Sequence, residues 1–221
     1  MKSFPNITIC SVDCLNHEKA IASMLYSMKD CSFAKSIFLS DKEEIKSDKI
    51  TYVKIDKITS RQQYSSFILK ELNNYIDTNF VLIVQHDGFI INPSSWNDDF
   101  LKYDYIGAPW KGNENKNKVG NGGFSLRSKK LIDFISNYYK NKYVLFNEDL
   151  EICNVSYDQL IKNGFKFPDI KTAFEFSIEH KSEGYNEVPF GFHGFPFTKI
   201  GMESKIKILE WMKNDKSSSI R

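Results

Sequence analysis

The chain lacks several features that would place it quickly. No stretch approaches the ~20 consecutive apolar residues that a membrane-crossing helix needs. The apolar run Ile7 to Val12 is too short for the core of a secretory signal, and Asp13 closes it. Neither sign of charge dominates: 30 basic residues face 28 acidic ones, for a net charge of +2. A dedicated nucleic-acid surface would show a basic excess, so none is expected. Only four cysteines occur, Cys10, Cys14, Cys31 and Cys153. Cys10 and Cys14 have no second close pair to complete a zinc site, and a chain this long needs no disulfide framework. Cys10 lies in an apolar run and reads as a small buried thiol. No internal repeat is visible. These absences point to a cytoplasmic protein, with attachment to the inner face of a membrane left open.

What is present is enough for a full core: 41% hydrophobic residues, with 18 Phe and 11 Tyr. The pattern alternates strands with amphipathic helices. Ile7–Val12, Ser36–Leu39, Ile50–Ile55 and Phe80–Gln85 read as strands. Asn16–Asp30 and Arg61–Ile76 carry apolar residues at helical spacing. This order predicts an α/β fold with a mostly parallel sheet covered on both faces. Beyond Asp87 the pattern becomes irregular. Tyr103–Pro109, Gly122–Leu126 and Phe174–Glu179 read as strands, and Lys129–Tyr139, Asn147–Ser156, Tyr157–Asn163 and Met202–Lys213 as helices. Lys111–Gly120 reads as a polar mobile loop. The expectation is one domain, 1–221, with a nucleotide-binding half (1–100), a substrate-binding half (101–213) and a frayed tail (214–221).

Phe80 to Val84 is an unbroken apolar run that ends in Gln85-His86-Asp87-Gly88. In an open α/β sheet, ligands bind beyond the carboxyl ends of the strands. This strand therefore delivers an amide, an imidazole and a carboxylate to such a crevice. A carboxylate there suits a divalent cation that bridges to phosphate oxygens, although Asp-Gly is also an ordinary turn. In Asn121-Gly122-Gly123-Phe124-Ser125-Leu126-Arg127 the paired glycines allow close approach of backbone to a ligand, and Arg127 has the fork to meet a diphosphate. A tight turn with a surface arginine is the plainer explanation. Asn147-Glu148-Asp149-Leu150-Glu151 is either a dipole-stabilised helix start or the seat of a general base. In Phe190-Gly191-Phe192-His193-Gly194 the glycines display His193, as a metal or phosphate contact or as a structural residue. Trp96, Tyr105, Trp110, Phe190 and Phe192 are candidates for a sugar-stacking platform, with at least half of them expected in the core.

Taken in order, the blocks QHDGF, DYIGAPW, VGNGGFSLRS, NEDLEIC and PFGFHG resemble a glycosyltransferase-like family formerly of unknown function. That family is similar to the nucleotide-sugar-dependent transferases of the GT-A fold. The resemblance spans about Val81 to Gly194 and implies a set of roles. Asp87 and His193 would hold a divalent cation, Mn2+ or Mg2+, although Gln85 stands where the first carboxylate of an Asp-x-Asp motif is usual. Asp13, Gln85, His86, Asp87, Gly122, Gly123, Arg127 and Lys199 would bind the donor. Asp149, beside Glu148, would be the catalytic base of an inverting reaction, and Trp110 and Phe192 would meet the acceptor. The implied partners are a nucleotide-sugar and a glycan or lipid-linked acceptor, with no nucleic acid. Two rival readings are a sugar nucleotidyltransferase and a carbohydrate-binding protein with a degenerate site. The first would carry a glycine-rich basic loop after the first strand, where Asp13-Cys14-Leu15-Asn16 stands instead.

Overall fold

The structure is a computed structural model that describes residues 1–42, 47–110, 117–180 and 188–194, with 203, 205–208 and 210 of the last helix. Among the described residues, six strands form the main sheet in the order β3-β2-β1-β4-β7-β6. They are β1 (Lys2–Val12), β2 (Cys31–Ser40), β3 (Thr51–Lys54), β4 (Phe80–Val84), β6 (Tyr105–Gly107) and β7 (Phe124–Ser128). β3, β2, β1 and β4 run parallel, and β7 lies antiparallel to both β4 and β6. A second sheet, β5-β9-β8, joins β5 (Gly88–Ile90), β9 (Gly191–His193) and β8 (Ser177–Ile178).

Period-two alternation divides the buried strands between two cores. Ile9, Leu82, Val84 and Leu126 face α1 (His17–Ser27), where they meet Ala20, Ile21 and Met24. Phe100, Phe176 and Phe190 complete that layer. Cys10, Val12, Val81 and Ile83 face the other way, onto Phe67 and Ile68 of α2 (Arg61–Lys70) and Ile132 of α3 (Lys129–Tyr139). The expected mostly parallel sheet flanked by helices is therefore observed. Ser60 caps α2 by accepting from Gln63 N–H, while the Gln63 amide oxygen accepts from Thr59 N–H, a reciprocal arrangement that fixes where the helix starts.

The expected segments differ from the observed ones at three places. Phe174–Glu179 is not one strand: α6 (Ile170–Phe176) runs through it, and Asp169 caps that helix by accepting from Thr172 N–H. Residues 117–120 are not a free loop. Val119 is buried and pairs with Pro109, and Lys118 O accepts from Trp110 N–H. The helix expected over Arg61–Ile76 breaks after Lys70 into a 3-10 turn, Leu72–Tyr75. The remainder of the Lys111–Gly120 stretch, and parts of the Gly/Pro/Phe-rich and terminal segments, lie outside the described residues.

Topology locates the site. From β1 the chain steps outward to β2 and β3, then returns to the opposite side of β1 to form β4. The strand order reverses between β1 and β4, and in open α/β sheets that crevice is where ligands bind. Asp13 follows β1 there, and Gln85-His86-Asp87 follows β4.

Candidate active site

A cleft of about 590 Å³ opens at this switch point. Its lining includes Asp13, Gln85, His86, Asp87, Gly123, Glu148, Asp149 and His193. Asp87, Asp149 and His193, far apart along the chain, thus share one cavity.

Asp13 is held by its own turn: Oδ1 accepts from Leu15 N–H at 2.7 Å and from Asn16 N–H at 2.6 Å. Burial alone would raise its pKa, but His86, Asn16 and Leu15 hold the carboxyl below its ordinary value. Asp87 and His193 are brought together by the small sheet, where Gly88 of β5 pairs with His193 of β9. Gly194 N–H adds a bond to Asp87 O at 3.0 Å. Nε2 of His193 lies 3.2 Å from Asp87 Oδ1 and 3.2 Å from Gln85 Oε1, and Nδ1 lies 3.1 Å from Glu179 Oε1. Burial would lower the His193 pKa, but Asp87 and Glu179 outweigh it and push it up to about 10. Despite that proximity, the buried Oδ1 of Asp87 accepts no well-aligned hydrogen bond.

The opposite lip is α4 (Glu148–Leu150), which runs into a π-helical turn, Glu151–Val155. Asp149 Oδ2 accepts from Gly122 N–H at 3.1 Å, and Oδ1 from its neighbour Leu150 N–H at 2.8 Å. Burial, with the adjacent Glu148 charge, pushes the Asp149 carboxyl up to about 7. Glu148 is tied down from below: its Oε1 meets Arg127 Nη2 at 3.1 Å, in a fully buried pair. Glu151, the third acid of the cluster, faces away from the cleft. It accepts from Leu145 N–H, Phe146 N–H and Tyr139 O–H.

Several expected site residues sit elsewhere, for physical reasons. Arg127 does not reach the cleft. Its guanidinium is fully buried over the Tyr105 ring, donates to Ser125 Oγ and Gly122 O, and pairs with Glu148 through Nη2, while its buried Nη1 has no hydrogen-bond partner among the described residues. Gly122 does not line the cleft either. A Cβ there would stand 2.2 Å from Glu148 Oε1, and one on Gly123 would stand 2.0 Å from His193 Nε2. The glycine pair makes room for two site side chains rather than for a ligand. Phe192 is buried against Phe89, with ring centroids 4.8 Å apart, so it is core and not an acceptor contact. Trp110 packs over Gly120, away from the cleft lining. Trp96, Tyr105 and Phe190 are buried, as a mostly core role requires. Lys199 lies outside the described residues. Conversely, Arg61, Tyr64, Asn121 and Glu179 line the cleft without having stood out in the sequence. The one available signal was the Thr59-Ser60-Arg61 helix start, which places a cation at the rim.

Sheet order, switch point and cleft define a GT-A-type α/β protein. The chain belongs to the family described as protein of unknown function (DUF5672), whose model matches residues 48–193. No curated protein matches it. Among solved structures, it is similar to the apo form of the glycosyltransferase GlyE from Streptococcus pneumoniae TIGR4. The TM-score there is 0.52 at 10% identity, over 95% of this chain and 64% of that one. The chain thus spans about two thirds of GlyE. A glycosyltransferase involved in the glycosylation of the major capsid of PBCV-1 gives a TM-score of 0.51 at 12% identity, over 91% of this chain and 98% of that one. At such identities the likeness concerns the fold.

Proposed function

We propose that this chain transfers a sugar from a nucleotide-sugar to a hydroxyl of a glycan or lipid-linked acceptor, with Asp149 as the base. One observation carries the reading: the Asp149 carboxyl, raised to about 7, opens into the same switch-point cleft as Asp87 and His193. A base works best when its pKa lies near the working pH. Asp13 and Gln85–Asp87 would line the donor side, and Arg61 stands at the rim to meet the diphosphate. Asp149 would take the proton of an acceptor hydroxyl, which attacks the anomeric carbon on the face opposite the departing diphosphate. That single displacement inverts the configuration. Glu148 would act as a positioning residue, since it is buried and spent on Arg127.

Among the described residues, no three His, Cys, Asp or Glu side chains meet as a metal-holding group. Two protein ligands still suffice for a cation completed by diphosphate oxygens and water. The buried Asp87 Oδ1, which accepts no aligned hydrogen bond, fits such an ion, with His193 Nε2 at 3.2 Å beside it. Mn2+ or Mg2+ held by Asp87 and by His193, whose imidazole would give up its extra proton on binding, would neutralise charge on the departing diphosphate. Glu179, on the far nitrogen, would orient the imidazole for that task.

The test is a donor-hydrolysis and transfer screen across common nucleotide-sugars, with calorimetry in the presence and absence of manganese. Asp149→Asn should lower turnover by ~10²–10⁴-fold and leave donor affinity nearly unchanged. Full activity, or loss of donor binding, refutes the assignment. Donor binding without any turnover by the unaltered chain would favour a carbohydrate-binding protein instead.

A further inference from the structure

The loop that leads into the Asp149 turn carries three large apolar side chains in the open. Tyr143 is 90% exposed, Leu145 72% and Phe146 52%. The backbone beneath them is fixed. Val144, between the first two, is buried. Leu145 N–H and Phe146 N–H both donate to Glu151 Oε1, at 2.7 and 2.9 Å, and Val144 O accepts from the Gln62 amide. The three side chains are therefore presented by a tethered loop.

Along the chain, the charge that leads into them has one sign, and the carboxylate beneath them, Glu151, is taken up by hydrogen bonds from Leu145 N–H, Phe146 N–H and Tyr139 O–H. Lys140 and Lys142 precede the apolar residues, and no acidic residue occurs between Asp133 and Glu148. Glu148 itself is neutralised by Arg127. Arg61, next to the Gln62 that grips the loop, adds another cation. An exposed aromatic–aliphatic tip with two lysines just ahead of it, one of them over the Tyr138 ring, matches the interfacial zone of an anionic bilayer. There, aromatic rings sit at headgroup depth and lysines meet negative headgroups. A sugar platform would need flat faces, and Leu145 offers none.

We propose that residues 140–146 are a membrane-interface anchor, with Tyr143, Leu145 and Phe146 inserted among the headgroups of an anionic lipid surface and Lys140 and Lys142 paired with them. Asn147–Asp149 follow directly and line the cleft, so the anchor sets the Asp149 lip against the membrane. That an acceptor hydroxyl arrives there from a membrane-borne molecule rests on the transfer reading. The lipid contact does not.

The experiment is co-sedimentation of the full chain with phosphatidylcholine vesicles, with and without phosphatidylglycerol. The chain should pellet with the anionic vesicles. Tyr143→Ser/Leu145→Ser/Phe146→Ser should weaken partitioning about tenfold or more, and Lys140→Gln/Lys142→Gln should abolish the preference for phosphatidylglycerol. Leu145→Trp provides a second measurement that needs no loss of apolar surface: its emission should shift to the blue on adding anionic vesicles. Asp149→Asn should bind vesicles like the parent, so failure of the transfer reading leaves this result intact. The proposal is overturned if the chain ignores both vesicle types, or if the triple variant partitions unchanged. It is also overturned if sedimentation velocity reveals a dimer that the triple variant dissolves.

Discussion

On one side of the cleft, Asp13 and the Gln85–Asp87 turn are carried by the ends of β1 and β4. Their backbones are fixed by the parallel ladder, and Asp13 is held by its own turn, with His193 the distant side chain that meets both Gln85 and Asp87. On the other side, Glu148 and Asp149 ride a single helical turn. That turn is held by contacts with distant parts of the chain: Arg127 on β7, Gly122 N–H, and Ser65 Oγ of α2, which accepts from Glu148 N–H at 3.1 Å. The sheet side is thus built by backbone, and the α4 side by a buried polar network. A side built by backbone tolerates side-chain change, whereas a buried network fails when one member is removed.

Substitutions can break or sharpen this contrast. The largest effect is expected for Arg127→Met, which strands a buried carboxylate. It should cost about 3–5 kcal/mol of stability in urea unfolding, and Arg127→Met/Glu148→Leu should recover most of that loss. If the single variant is as stable as the parent, the two sides do not differ as described. Gly123→Ala tests the point where they meet. Its new methyl would drive the His193 ring aside, so about 1–3 kcal/mol of stability and most donor affinity should be lost.

A smaller, pH-dependent effect follows from Asp149, whose pKa rises from the ordinary 3.8 to about 7 on folding. Between those values the folded chain keeps a proton that the unfolded chain has released, so this group withdraws stability as pH rises through the window. Asp149→Asn should therefore be more stable than the parent at pH 8, by about 1–2 kcal/mol. The gap should close below pH 4 in thermal unfolding. Turnover of the parent should rise with pH through about 7, because only the ionised carboxylate accepts a proton. The smallest effect expected is for Ser60→Ala, at the start of α2 and outside the buried network, which removes one cap worth about 1 kcal/mol.

The contrast also explains what the sequence revealed. The strand-end residues were legible because a buried strand followed by polar groups is a local signal, and Phe80–Val84 then Gln85-His86-Asp87 displays it. The helix read over Lys129–Tyr139 holds in the structure as α3, with Leu131, Ile132, Ile135 and Tyr139 on its buried face. Arg127 was misread because its burial depends on Glu148, and no local pattern announces that partner. Gly122 and Gly123 were read as letting backbone approach a ligand, whereas the groups they accommodate, Glu148 and His193, come from distant segments. Glu179 reaches the site from the end of β8, whose two residues carry no periodicity at all. Phe174–Glu179 was read as a strand from its aromatic run, and the cap that starts a helix there, Asp169 accepting from Thr172 N–H, lies five residues upstream of that run.

The ladder between β5 and β9 has a mechanical corollary. Because Gly88 faces His193 in register and Gly194 clasps Asp87, the two candidate cation ligands are welded into one plate. Neither can drift without tearing the small sheet. On the opposite lip the winding is less regular, because α4 runs straight into the π-helical turn Glu151–Val155.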